Sequence, residues 1–210
     1  MMDKKRAEAI IGLLEDEYGR AVCTLEYMSP LHLLIATQLS AQCTDERVNK
    51  VTPGLFSRYV TARDFMDADV EELEELIKST GFFHNKARNI KACCKMIIEE
   101  FNGEVPGTME ELLRLPGVGR KTANLVLGEV FNVPGIVVDT HAGRLARRMG
   151  FTTETDPEKV EKDLMASIPV AKWTVFSHWM VAHGRAVCNA RKPRCGECPV
   201  GIHCSYFRNL

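Results

Sequence analysis

The chain has 210 residues, 45% of them hydrophobic and 26% charged, with a formal net charge of −1 at neutral pH. That is enough apolar chain to bury a core as one large domain or two small ones, and no stretch approaches the roughly 18 consecutive apolar residues that a membrane-crossing helix needs. The near-neutral total excludes a uniformly basic surface, but residues 1–110 hold 13 Lys/Arg against 19 Asp/Glu, giving −6, and residues 111–210 hold 14 against 9, giving +5. This asymmetry predicts a single basic face.

Residues 1–20 interleave charges with Ala7, Ile10, Ile11 and Leu14 at helical spacing, which predicts an amphipathic helix and not a secretory leader. The chain is therefore expected to be soluble and intracellular. In a reducing compartment its eight cysteines read as metal ligands plus buried thiols, not disulfides. Cys23, Cys43, Cys93 and Cys94 have no motif spacing and are expected in the core as small apolar residues.

Helical spacing continues through Leu31, Leu34, Ile35 and Leu39, through Ile90, Cys94, Ile97 and Ile98, through Leu125, Val126 and Val130, and through Val175, Trp179 and Ala182. No segment alternates as a strand would. Pro30, Pro53, Pro106, Pro116, Pro134, Pro157 and Pro169 fall at or near the expected joints, where proline can occupy a first turn or block continuation. The pattern predicts an all-α fold of nine or ten short helices, without repeats or long linkers.

Between "MEELLRL" and "KTANLVLGEVF" lies "PGVG", Pro116 to Gly119, short enough only for a tight turn between two helices. Gly117 and Gly119 supply the backbone freedom that such a turn needs, and its amides with the following helix N-terminus form a site for an anionic oxygen such as a DNA phosphate. Arg120, Lys121 and Thr122 then fall in the first helical turn, where cations oppose the helix dipole, so function is the better reason for them than stability. A lysine at a helix N-terminus beside another cation has its neutral amine favoured and can act as a nucleophile, whereas nearby phosphates would push it back. Nucleophile and phosphate contact both remain open on the residues alone.

Asp139 opens "VDTHAGRLARR" and reads first as a helix N-cap. His32, His178 and His183 lack the spacing or partners of metal ligands. The last 23 residues contain Cys188, Cys195, Cys198 and Cys204 in the spacing C-x6-C-x2-C-x5-C. Four thiolates in one loop-rich segment suit a tetrahedral zinc or the four irons of a cubane cluster, and one short knuckle with wider flanks favours the cluster. His203 is a possible zinc ligand that the complete cysteine set makes unnecessary. Arg185, Arg191, Lys192 and Arg194 surround the first two cysteines and suit salt-sensitive phosphate contact.

With these motifs in order, together with "LSAQCTD" at 39–45, "GFFHNKA" at 81–87 and "NGEVP" at 102–106, the chain resembles the endonuclease III family of helix–hairpin–helix DNA glycosylases over nearly its whole length. The resemblance implies a two-lobed fold with a C-terminal [4Fe–4S] loop on Cys188, Cys195, Cys198 and Cys204. It implies a bifunctional glycosylase and abasic-site lyase acting on oxidised or reduced pyrimidines, with Lys121 as the catalytic lysine and Asp139 as the catalytic aspartate. It further implies that Gln42 plugs the space left by an extruded base. Phe82 would be the apolar wedge, at a position where the family often has leucine.

The expected lobes are residues 22–132 with the hairpin, and residues 1–21 plus 133–210 with the cluster, so the active site is expected between them. Expected DNA contacts are Gln42, Phe82, Gly117, Val118, Gly119, Arg120, Thr122, Arg191, Lys192 and Arg194. The expected partner is damaged or abasic double-stranded DNA, met by a monomer in the cytoplasm at the nucleoid and away from membranes. A related adenine-specific mismatch glycosylase would use an early glutamate, and "LHLLIATQLSAQCT" at 31–44 holds no acidic residue. A non-catalytic DNA-binding module, in which Lys121 only contacts phosphate, is the rival from another class.

Overall fold

The computed structural model describes residues 2–19 and 21–210. Among them the chain forms α1 (Lys4–Tyr18), α2 (Pro30–Leu39), α3 (Asp45–Arg58), α4 (Ala62–Asp67), α5 (Val70–Ile77) and α6 (Phe83–Glu100). There follow α7 (Met109–Arg114), α8 (Arg120–Val130), α9 (Thr140–Met149), α10 (Pro157–Ser167), α11 (Trp173–Ala186) and α12 (Ser205–Arg208), with four short 3₁₀ turns and no strand among the described residues. The all-α expectation holds. The helix number exceeds the nine or ten read from periodicity, because pieces as short as α4 and α12 span too few turns to display it. No helix among the described residues is long and apolar enough to cross a membrane.

Most helices begin at a side-chain cap, which satisfies amides that have no intrahelical partner. Asp3, Ser29, Thr44, Asp69, Thr108, Asp139 and Asp156 each accept an amide from the first turn of the helix they open. Thr61 and Asp64 form a reciprocal capping box at α4. By contrast, α6 starts at Phe82 and α8 at Gly119, and neither has a side-chain cap.

Pro30 and Pro157 stand in first turns, as expected of proline at a joint. Pro53 does not, since it lies inside α3. Its ring removes one helical amide. Buried Val48, Thr52, Leu55 and Phe56 nevertheless hold α3 to the core across that point, so packing overrides the local cost.

The chain divides into two compact units, Cys23–Asn132 and Met1–Val22 with Val133–Leu210. The contiguous unit closes around Leu33, Leu34, Leu55, Phe65, Ile77 and Ile90. Cys93 and Cys94 are fully buried there, whereas Cys23 and Cys43 only pack partly against this core. Burial pushes the Cys93 thiol up to about 12, so it is an inert apolar residue.

The other unit packs α1 against the C-terminal helices through Ile10, Leu14, Leu145, Phe176, Trp179 and Met180. Polar ties reinforce it. Arg6 donates to the carbonyl of His203 at 2.6 Å, and to that of Met149 and the hydroxyl of Ser205 at 2.5 Å each. The Trp179 indole donates to the carbonyl of Gly19 at 2.7 Å.

Candidate DNA-repair site and cluster loop

In the contiguous unit, α7 and α8 are joined by residues 115–119 as the expected hairpin. Gly117 has φ +77, and a Cβ there would lie 2.8 Å from Gln38 Oε1 and 2.9 Å from Asn89 Cβ, so both conformation and close approach demand glycine. Gly119 has an ordinary φ of −102 and open space where a Cβ would stand. Val118 differs from expectation: its side chain is buried and its N–H is already bonded to the carbonyl of Leu115 at 3.1 Å, which takes its amide out of the phosphate-facing set.

Gly119 opens α8 without offering a side chain to its first amides, and no acidic residue occupies the first turn. Lys121 is exposed in that turn; Arg120 and Thr122 beside it are half-buried. The same unit presents the other two expected DNA residues. Gln42 is exposed with φ +54, and Phe82 is 63% exposed with φ +50. Left-handed backbone is costly for a bulky residue such as phenylalanine and persists only where its surroundings impose it, which is common at functional sites. Phe83, one residue on, takes the ordinary packing role against the core.

In the other unit, Asp139 is half-buried, and its Oδ1 accepts the Ala142 amide at 2.7 Å, so it is the N-cap of α9. The segment leading to it is anchored where the Val137 amide donates to the Ser177 hydroxyl at 2.9 Å. α9 and α11 approach closely at Gly184, where a Cβ would meet His141 Nδ1 at 2.5 Å.

Cys188, Cys195, Cys198 and Cys204 line one cavity together with Arg148, His183, Val200 and Tyr206. Burial, and then the proximity of Cys188 and Cys204, push the Cys195 thiol up. Burial lifts Cys198 to about 11, with the other three cysteines adding to the rise against a backbone hydrogen bond at Val200. A cationic centre in this pocket would favour the thiolate forms that burial and neighbouring sulfurs oppose at Cys195 and Cys198. Among the described residues no group of three His, Cys, Asp or Glu side chains is gathered for a single metal ion, and the four cysteines share the lining of this one cavity.

Sequence reasoning missed the groups that serve these sulfurs. Arg148 Nη1 lies 3.2 Å from Cys188 Sγ, and its guanidinium also donates to the carbonyls of Asn189 and Ala190 at 2.8 Å and stacks over Tyr206. His183, set aside as a ligand, is buried with Nε2 at 3.4 Å from Cys198 Sγ and Nδ1 at 2.8 Å from the Tyr18 hydroxyl. Arg191 and Lys192 are exposed on the loop, while Arg194 pairs with Glu197 at 3.1 Å and donates to the Ala186 carbonyl.

The model of the HhH-GPD superfamily of base excision DNA repair proteins matches residues 35–170. Endonuclease III of Synechocystis sp. is 56% identical over 202 residues, covering 96% of this chain and 92% of that protein. The chain belongs to the endonuclease III family. Within it, the structure of a non-covalent endonuclease III–DNA complex matches 100% of this chain and 98% of that chain, with a TM-score of 0.95 and 44% identity. A trapped endonuclease III–DNA covalent intermediate matches equally well, at a TM-score of 0.95 and 44% identity. An endonuclease III is a base-excision DNA repair enzyme.

Proposed function

We infer that the enzyme is a bifunctional DNA glycosylase and abasic-site lyase that works through a lysine Schiff base, with Lys121 as its nucleophile. The observation that carries this is the exposed Lys121 amine in the uncapped first turn after the hairpin, in a chain 44% identical to one trapped as a covalent DNA intermediate. The Nζ lone pair attacks C1′ of an extruded nucleotide; the glycosidic bond breaks, and the base leaves with its electron pair and is protonated. The sugar opens to an imine on Lys121. Loss of the C2′ proton then drives β-elimination of the 3′ phosphate, and water releases the enzyme.

Asp139 is the carboxylate of this reaction. Held rigidly by its cap bond to Ala142, it is pre-positioned to stabilise positive charge developing on the deoxyribose and to assist proton transfer. A flexible carboxylate would first have to be ordered.

Extruding the nucleotide leaves a gap in the stack. Gln42 fills it with a polar group and Phe82 wedges beside it, a reading supported by the exposure and left-handed backbone of both. The amides of Gly117, Gly119, Arg120 and Thr122 receive phosphate at the hairpin, and Arg191 and Lys192 do so at the loop, with Arg194 holding that loop in shape. The substrates are oxidised or reduced pyrimidines and abasic sites in duplex DNA, and the protein works as a monomer.

The residues present fit a [4Fe–4S] cluster: Cys188, Cys195, Cys198 and Cys204 would hold it, and Arg148 and His183 would serve their sulfurs. When bound, the cluster pins the loop that carries Arg191 and Lys192.

Borohydride reduction in the presence of an abasic-site duplex tests the central claim. A covalent adduct is expected from the wild type and none from Lys121→Ala. Persistence of the adduct in the variant would assign the chemistry to another amine. Iron and sulfide analysis with the visible absorption spectrum tests the cluster, and stoichiometric zinc without iron would refute it.

A further inference from the structure

Lys86 is an anomaly in the contiguous unit: a lysine only 6% exposed, whose ammonium is held by carbonyls and not by a carboxylate. Its Nζ donates to the carbonyl of Leu39 at 2.7 Å and to that of Thr80 at 2.8 Å. Leu39 is the last residue of α2, and Thr80 is the last of the 3₁₀ turn Lys78–Thr80 that extends α5. One cation thus serves the C-terminal carbonyl ends of two helices, where the backbone dipoles favour positive charge.

Each of those ends leads directly into one of the strained, exposed residues. Three residues beyond Leu39 is Gln42, and two beyond Thr80 is Phe82, with φ of +54 and +50. The main chain of Lys86 adds a third tie, its N–H donating to the carbonyl of Phe82 at 3.1 Å. Burying an ammonium costs free energy, and burial does push Lys86 down from its ordinary range. An apolar residue could fill this space without that cost but could not bind two carbonyls.

We propose that Lys86 is a positioning residue for base extrusion, its ammonium bridging the Leu39 and Thr80 carbonyls so that Gln42 and Phe82 enter the duplex at a fixed separation. The proposal rests on the reading of Gln42 as plug and Phe82 as wedge. The two loops then act as one rigid tool because a single side chain ties them together.

The test compares single-turnover excision of one oxidised pyrimidine from a duplex with β-elimination on a single-stranded abasic oligonucleotide, which has no stack to open. Lys86→Met is expected to slow the duplex reaction by about 10- to 100-fold, the cost of a slight misplacement, and to leave the single-strand reaction unchanged. An unchanged duplex rate, or equal loss on both substrates, would overturn the proposal. Gln42→Ala and Phe82→Ala separate it from the reading beneath it. If neither slows duplex excision, plug and wedge are wrong; if both do and Lys86→Met does not, only the brace is wrong. Should Lys86→Met not fold, Lys86→Gln, whose amide reaches one carbonyl at a time, carries the same comparison.

Discussion

The imidazole of His183 stands between a tyrosine and a cysteine, its Nδ1 at 2.8 Å from the Tyr18 hydroxyl and its Nε2 at 3.4 Å from Cys198 Sγ. Burial holds the ring neutral at physiological pH by lowering it to about 4, and burial likewise raises the Tyr18 hydroxyl to about 12, so both groups are uncharged where they meet. In the tautomer whose Nδ1 accepts from Tyr18, the ring proton is on Nε2 and faces the sulfur. A thiolate bound to a cluster needs such a donor. His183→Phe is expected to weaken retention of the cluster by about 10- to 100-fold, read as faster loss of iron to a chelator. Tyr18→Phe, which frees the tautomer without removing the ring, should show a smaller effect in the same direction.

Asp139 caps α9, and two substitutions separate this cap from the catalytic role we propose for it. An asparagine amide oxygen can still accept the Ala142 N–H, so Asp139→Asn should melt close to the wild type yet excise bases about 100- to 10,000-fold more slowly. Asp139→Ala should lose the same activity and, in addition, about 1 kcal/mol of stability. Comparable activity in Asp139→Asn and the wild type would confine this residue to capping.

The two glycines of the hairpin should respond differently. Alanine at 117 must adopt a left-handed backbone, at about 1–2 kcal/mol, and press on Gln38 and Asn89, so Gly117→Ala should lower the melting temperature. Gly119→Ala meets open space at an ordinary φ, so its melting temperature should not change. Its methyl would stand at the backbone where we propose that a phosphate is received, and weaker duplex binding is the expected readout.

What could be read from the chain alone was whatever lies in short contiguous motifs. The hairpin, the Asp139 cap and the four C-terminal cysteines each fall within a short stretch, where local geometry decides. Arg148 and His183 escaped because they reach the sulfurs from other helices, and Tyr18 because it meets His183 from 165 residues away. Lys86 escaped for a different reason, since a lysine in a helical pattern is normally solvated and only the tertiary fold brings two carbonyls to it. Pro53 misled because local cost is not the whole energy of a packed helix.

His32 makes the fold sensitive to acid. It is buried and stacked on Phe56 with ring centroids 4.0 Å apart, and burial lowers it from its ordinary 6.5. The unfolded chain therefore takes up this proton first. Its contribution to stability is complete above about pH 6.5 and is lost as the pH falls from there through the lowered folded value. Denaturant midpoints measured across this range should slope less steeply in His32→Leu than in the wild type, and parallel curves would remove His32 as the source.

The ties from Arg6 to His203, Met149 and Ser205 fasten α1 to the end of α9 and to the segment around Cys204. During synthesis the hairpin unit, being contiguous, can close while the ribosome is still translating the C-terminal segment. Helix α1 must wait, its apolar face unburied, until the last few dozen residues emerge. Nascent chains stalled before Cys188 would thus hold a finished hairpin unit and an exposed amphipathic arm, the species on which chaperones would have to act.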